Sequence, residues 1–201
     1  GATFSHLNLY WMSFSSIAAT DYHYRDVWLM FMPAFHIGGI TPFLDILVKG
    51  MKLIIMRGFD AAAAVNIIAQ EQVTNLIAVP TMLESMLTHF RAIPEKAASM
   101  RWVFTGSTPL SIELLQSYQD LGINIFEGYG LTESTGVGTQ LMVDETRAHL
   151  GTAGKRNILS ELRVIDANAQ DCPDGTEGEI LIRSPAVMKR YWGKPEETAN
   201  A

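Results

Sequence analysis

Between Asp26 and Glu127 the chain alternates short apolar runs with stretches of helical spacing. The runs are Val27–Met32, Lys52–Met56, Asn75–Val79, Arg101–Thr105 and Asn124–Glu127. They are rich in Val, Ile, Leu, Phe and Met and do not alternate with polar residues. Strands covered on both faces read this way, and such strands belong to parallel sheets flanked by helices.

The intervening segments carry helix signals. Asp60 can cap a helix over Ala61–Gln72, where the alanine run has high helix propensity. Thr81, with Glu84 three residues on, fits a capping box opening Met82–Phe90. Thr108 followed by Pro109 predicts a helix start, and Gly122 its end. Trp11, Met12 and Phe14 read as core packing. Together these signals predict an α/β fold, an open and mostly parallel sheet flanked by helices.

After about Gly151 the texture changes. Leu162–Asp166 and Glu179–Arg183 are strand candidates, separated by a turn-rich stretch from Asn168 to Gly175. No helical pattern lies between them, so antiparallel pairing is expected. The organisation implied is an α/β subdomain over 1–148 and the start of a small antiparallel β-rich subdomain over 149–201. Both read as incomplete: the chain begins at Gly1 rather than Met and ends in helix-like Pro195–Ala199, as though cut at each end.

Composition narrows the function classes. Forty-eight per cent of the 201 residues are hydrophobic and 18% charged, which argues for a sizeable core and against disorder. Fifteen basic residues against 21 acidic ones give a net charge of −6, unsuited to a broad nucleic-acid surface. A single cysteine, Cys172, excludes a disulfide framework and a thiolate metal cluster. Pro33, His36, Gly38 and Gly39 interrupt the longest apolar candidate, so no run reaches the roughly 18 residues of a membrane span. The first residues lack the basic start of a signal peptide. A cytoplasmic globular protein is the expectation.

In open α/β sheets ligands gather beyond the carboxyl ends of the strands. The first exit reads Pro33-Ala34-Phe35-His36-Ile37-Gly38-Gly39, the third Pro80-Thr81 and the fourth Gly106-Ser107-Thr108-Pro109. The fifth reads Gly128-Tyr129-Gly130-Leu131-Thr132-Glu133-Ser134. There two glycines allow close backbone approach and Tyr129 offers a stacking face. Thr132 can donate a hydrogen bond, and Glu133 can ligate a hard cation such as Mg²⁺. Read alone, the same string also fits a glycine-rich turn ending in a capped helix. Walker, dinucleotide and serine-hydrolase motifs are missing, and no two histidines have metal-ligand spacing.

Taken together, these exits resemble the adenylate-forming (AMP-binding) enzymes, a superfamily of acyl-CoA synthetases, luciferases and the adenylation domains of peptide synthetases. The core of the match is Gly128-Tyr129-Gly130-Leu131-Thr132-Glu133. Support comes from Pro33-Ala34-Phe35-His36, Val79-Pro80-Thr81, Thr105–Leu110, Gly151-Thr152-Ala153-Gly154, and Gly178-Glu179-Ile180 through Val187–Trp192. The strings occur in the family's order and spacing over essentially the whole chain. Thr108, where many members carry Ala, and Lys155-Arg156, in place of the more usual Arg-Pro, depart from the pattern without removing a functional group.

The resemblance implies a parent enzyme that joins a carboxylate to ATP, releases pyrophosphate, and passes the acyl group from AMP to coenzyme A. Val187–Trp192 followed by Lys194-Pro195-Glu196 is most like the fatty-acyl-CoA synthetase branch. A peptide-synthetase adenylation domain and a non-catalytic nucleotide-binding fragment are the alternatives. Under this resemblance Glu133 holds Mg²⁺, Thr132 bonds a phosphate oxygen, and His36 sits near the acyl carboxylate. Gly106, Ser107, Thr108, Gly128, Tyr129, Gly130, Leu131 and Thr132 hold the nucleotide, with Tyr129 stacked on adenine. Ile37, Gly38, Gly39, Thr81 and Gly128 line the acyl pocket with His36, although Thr81 serves equally well as a plain helix cap. The resemblance places the chain in the middle of a longer enzyme. It lacks the Ser/Thr/Gly-rich phosphate loop, a Thr-Gly-Asp segment and a mobile C-terminal domain, so the isolated chain is expected to be inactive. Its partners are then a fatty acid, ATP and coenzyme A, with no nucleic acid and no transmembrane segment; peripheral membrane contact of the parent stays open.

Overall fold

The computed structural model describes residues 1–136, 138–141, 145, 148–149 and 151–201. Its centre is a seven-stranded sheet. β2 (Val27–Met30), β3 (Lys52–Ile55), β4 (Asn75–Ile77), β5 (Trp102–Gly106) and β6 (Asn124–Tyr129) are parallel. β7 (Thr139–Leu141) and β8 (Lys155–Arg156) extend the sheet antiparallel, giving the order β3-β2-β4-β5-β6-β7-β8. The expected α/β class and parallel sheet are what the chain forms.

Side chains alternate between two helical layers because the strand period is two residues. Leu29, Leu76, Val103 and Ile125 face one layer, built from α3 (Ala61–Glu71), α4 (Pro80–Ala92) and α5 (Ile112–Asp120). Trp28, Ile77, Trp102, Phe104 and Phe126 face the other, beneath α1 (His6–Ala19) and α2 (Ile37–Lys49). Burial on both faces is the reason these strands read as unbroken apolar runs. The chain goes from β2 outward to β3 and then crosses back to β4 on the other side of β2. That reversal opens a crevice at the carboxyl ends of β2 and β4.

Local chemistry sets the helix ends. The Asp60 carboxylate accepts the Ala63 N–H at 2.7 Å, which starts α3 as its sequence implies. Two other starts differ from expectation. α4 begins at Pro80 with Val79 as its N-cap and no side-chain cap, so Thr81 lies inside the first turn and forms no capping box. Pro at the first position needs no N–H partner, which makes the hydroxyl cap dispensable. α5 begins at Ile112, capped by Ser111, whose hydroxyl accepts the Leu114 N–H at 3.2 Å. Thr108 and Pro109 therefore remain in an open loop. Met12 is fully buried, but Phe14 is 47% exposed and stacks on exposed Tyr10. Phe14 is thus a surface residue of α1 and not core.

β9 (Glu161–Ile165) and β10 (Glu179–Arg183) form the expected antiparallel pair. The chain then returns to its own beginning. β11 (Arg190–Tyr191) pairs with β1 (Ala2–Thr3), and a short α6 (Pro195–Ala199) follows. The Asn8 side chain, buried at the start of α1, donates to the Pro185 and Val187 carbonyls at 2.8 and 2.9 Å. Among the described residues no helix is long and apolar enough to cross a membrane.

Candidate active site

A cavity of about 490 Å³ occupies the crevice on the α1/α2 side of the sheet. Trp102, Phe104 and Gly106, alternate residues of β5, all line it. It therefore runs along β5, over about 13 Å for four residue steps. At the carboxyl end it meets Gly128, Tyr129 and Gly130, the loop Gly106–Pro109, and Gly151, Thr152 and Ala153. At the amino end of the strand it meets Ser16, Thr20, Tyr22 and Asp45, which α1, the loop after it and α2 supply.

Two glycines form the mouth because nothing larger fits. A Cβ on Gly106 would lie 2.7 Å from the Gly128 carbonyl oxygen, and one on Gly128 would lie 2.6 Å from Phe104 Cζ. Ser107, next in line, has φ of +73°, a left-handed conformation that costs a non-glycine residue energy and that clusters at ligand sites. Thr108 is exposed beside it.

His36 also stands at this opening. It is the N-cap of α2, with Nδ1 accepting the Gly38 N–H at 3.0 Å. In the neutral ring that bond assigns the proton to Nε2, which is free to donate to an oxygen. Ile37 and Gly38 line the cavity with it. Gly39 is buried against the Pro33 carbonyl, where a Cβ would clash. It allows the close approach of α2 to the β2 exit. Thr81 is exposed and lies off the cavity lining.

Leu131, Thr132 and Glu133 follow the cavity's mouth, with residues 132–134 forming one 3₁₀ turn. Leu131 and Thr132 are exposed. Glu133 is fixed from both ends: its carbonyl accepts the Met188 N–H at 2.7 Å, and Oε1 accepts the Tyr191 hydroxyl at 2.5 Å. The carboxylate holding that proton raises the Tyr191 phenol above its ordinary value. No group of three acidic, His or Cys side chains that could hold a metal ion by itself is present among the described residues. A lone, oriented carboxylate suits Mg²⁺, which is commonly held by one or two carboxylates together with substrate phosphates. It does not suit a metal caged wholly by protein.

The structure adds residues that the strand exits did not reveal. Glu127 is buried at the end of β6 and accepts the Leu110 N–H at 3.3 Å through Oε1; burial raises its carboxyl, and the Leu110 bond lowers it. Oε2 of Glu127 and Nε2 of Gln140, both on cavity-lining residues, have no partner among the described residues. Buried polar atoms without partners at a cavity wall are groups that a ligand or water completes. Asp45 is the deepest of the additions: fully buried, it lies near the amino end of β5 with Ser16 and Tyr22.

Comparison with known proteins matches this geometry to one family. The model of the AMP-binding enzyme family matches residues 1–192. Feruloyl-CoA synthase of Amycolatopsis sp is 34% identical over 205 aligned residues, covering 99% of this chain and 41% of that protein. The long-chain-fatty-acid–CoA ligase FadD13 of Mycobacterium tuberculosis is 32% identical, covering 100% of this chain and 40% of that protein. Among solved structures, the O-succinylbenzoate coenzyme A synthetase (MenE) of Bacillus subtilis in complex with ATP and magnesium ion superposes with a TM-score of 0.91 at 28% identity. That superposition covers 100% of this chain and 41% of that one. The chain thus spans about two fifths of the length of these relatives. With the family's pattern running through both the sheet and the cavity mouth, the chain belongs to the AMP-binding enzyme family.

Proposed function

We propose that the chain is the central part of an ATP-dependent acid–CoA ligase whose acid is fatty or similarly apolar, and that the cavity along β5 takes the acyl group. The observation that carries this reading is the cavity's shape and lining. Trp102 and Phe104 wall it along β5, and His36, Gly106 and Gly128 line its carboxyl end.

The chemistry sets what the mouth must do. A carboxylate approaching a polyanionic phosphate at 4 Å meets a repulsion of roughly 4 kcal/mol per charge pair at an effective dielectric near 20. Cations and oriented donors have to offset that while holding an in-line geometry. In this reading Glu133 holds Mg²⁺, which supplies charge neutralisation at the phosphates. Thr132 donates to a phosphate oxygen, and His36 Nε2–H faces the acyl carboxylate. Tyr129 stacks on adenine, with Gly106, Ser107 and Thr108 along its edge. Gly128, Gly130 and Leu131 shape the backbone around the nucleotide. Coenzyme A is the acceptor of the activated acyl group.

ATP–pyrophosphate exchange by the full-length protein, with fatty acids and amino acids assayed in parallel, tests the proposal. Exchange driven by fatty or similarly apolar acids is the expected result. Exchange driven by amino acids alone overturns it. The purified 201-residue chain is expected to form no detectable acyl-AMP.

Tyr191 gives a further expected result in the same assay. As a positioning residue for Glu133, its replacement in Tyr191→Phe should raise the Mg²⁺ concentration for half-maximal exchange by about tenfold. The apparent KM for the acid should stay unchanged, because Tyr191 is not among the residues lining the cavity. Equal loss at all Mg²⁺ concentrations would mean that Tyr191 acts on the fold instead.

A further inference from the structure

The far end of the cavity does not have the surface that a plain alkyl tail would need. Asp45 sits on α2 in the apolar run Ile40–Val48 and is fully buried. Its Oδ2 accepts the Ser16 hydroxyl at 2.6 Å and the Tyr22 hydroxyl at 3.1 Å. Ser13 lies beside the same carboxyl, yet Oδ1 and the Ser13 hydroxyl both lack a partner within hydrogen-bonding distance among the described residues. Ser16, Tyr22 and Asp45 all line the cavity, and Thr20 stands with them.

The rings around this cluster show which end of the slot it occupies. Tyr22 packs on Trp28 and Trp102 at centroid distances of 5.9 and 5.3 Å. Trp102 is the first residue of β5, whereas Gly106, its last, is at the mouth. The polar cluster therefore lies about one strand length, roughly 13 Å, from the place where the acid's carboxylate is expected. A methyl terminus there would leave a buried carboxyl oxygen without a partner, which is costly. A hydroxyl would supply one.

We propose that the acid taken by this cavity carries a hydroxyl at the end remote from its carboxylate, and that Asp45, oriented by Ser16 and Tyr22, is the residue that selects it. The proposal rests on the reading of the cavity as the acyl pocket. Burial raises the Asp45 carboxyl to about 7, so near neutral pH it can present either a lone pair or a proton to a hydroxyl. A site built to bond a hydroxyl discriminates strongly against the analogue lacking it, because its own polar group is then stranded.

Matched pairs of acids assayed by ATP–pyrophosphate exchange on the full-length protein test this. The pairs are ω-hydroxydecanoate against decanoate, and 6-(4-hydroxyphenyl)hexanoate against 6-phenylhexanoate, whose hydroxyls can span that separation. In at least one pair the hydroxylated acid should be favoured in kcat/KM by about 10–100-fold. Asp45→Leu should abolish or reverse that preference, and Asp45→Asn, which keeps an acceptor for Ser16 and Tyr22, should retain part of it. Equal use of both members of each pair by the unaltered protein overturns the selection by Asp45 and leaves the ligase reading standing. So does a preference that survives Asp45→Leu. Exchange with no member of either pair, but with amino acids, overturns both readings.

Discussion

Replacing Glu133 with Ala in the full-length protein is expected to lower ATP–pyrophosphate exchange by about 10²–10³-fold, the usual cost of losing one preorganised stabilising group in a transition state. The size follows from how little else is available. No group of three acidic, His or Cys side chains that could hold a metal ion is present among the described residues, so in this reading the protein's share of the Mg²⁺ site falls to Glu133. Glu133 is also held in place before any ligand arrives, by the Met188 N–H on its carbonyl and the Tyr191 hydroxyl on its carboxylate. Both partners come from the segment that returns to pair with β1, so the carboxylate is anchored to the start of the chain as well as to the cavity mouth. Glu133→Gln separates charge from shape. Its side-chain oxygen still accepts from Tyr191, but its charge is gone, and exchange should fall nearly as far as in the Ala variant. The check is exchange rate against Mg²⁺ concentration for the three proteins. Activity unchanged in Glu133→Ala would mean that the α/β frame carries this string without using it.

Sequence reading succeeded where burial imposes a pattern, and it failed where only geometry decides. Strands β2, β4, β5 and β6 were legible because both faces are covered, so their residues are apolar without alternation; β3, at the sheet edge, is apolar although Ile55 is 62% exposed. The small residues at the exits of β5 and β6 were legible because a Cβ would meet the Gly128 carbonyl at Gly106 and the Phe104 ring at Gly128. Helix starts were less so. Thr108-Pro109 and Ser111 are both plausible openings for α5, and the loop that shapes the cavity mouth uses the later one. Phe14 carries an apolar side chain on a helix, yet it faces away from the sheet, and composition has no sense of direction. Asp45, Glu127 and Gln140 were missed for a different reason. Attention to strand exits looks at one end of the sheet, whereas the cavity extends back along β5 to its first residue. One signal for Asp45 was present: a lone carboxylate within an otherwise apolar helical run must be buried or must break the pattern.

Asp45 also fixes the direction in which stability should change with pH. Its carboxyl is raised from 3.8 to about 7, first by burial; the Ser16 and Tyr22 hydroxyls bonded to it act the other way and offset only part of that rise. Tyr22 itself is raised by burial and by the nearby Asp45 and Asp26 carboxylates, so it stays protonated and continues to donate. In the unfolded chain Asp45 ionises around its ordinary value, while in the folded chain it keeps its proton until near neutrality. Between those two values the folded state binds a proton that the unfolded state has released. Stability is therefore greatest below about pH 4, declines as pH rises, and by about pH 8 has lost on the order of 3–5 kcal/mol from this group. Asp45→Asn removes the ionisation, and its amide places an oxygen for Ser16 and Tyr22 and an N–H₂ near Ser13. The variant should accordingly be more stable than the parent at pH 8, with an unfolding midpoint higher by on the order of 10 °C, and the two should converge toward pH 5. Tryptophan fluorescence is a suitable probe, since Trp28 and Trp102 pack directly against Tyr22. The opposite slope, with the parent gaining stability as pH rises from 5 to 8 relative to Asp45→Asn, would show that Asp45 is held ionised by a partner, and a carboxylate of that kind could not alternate between accepting and donating.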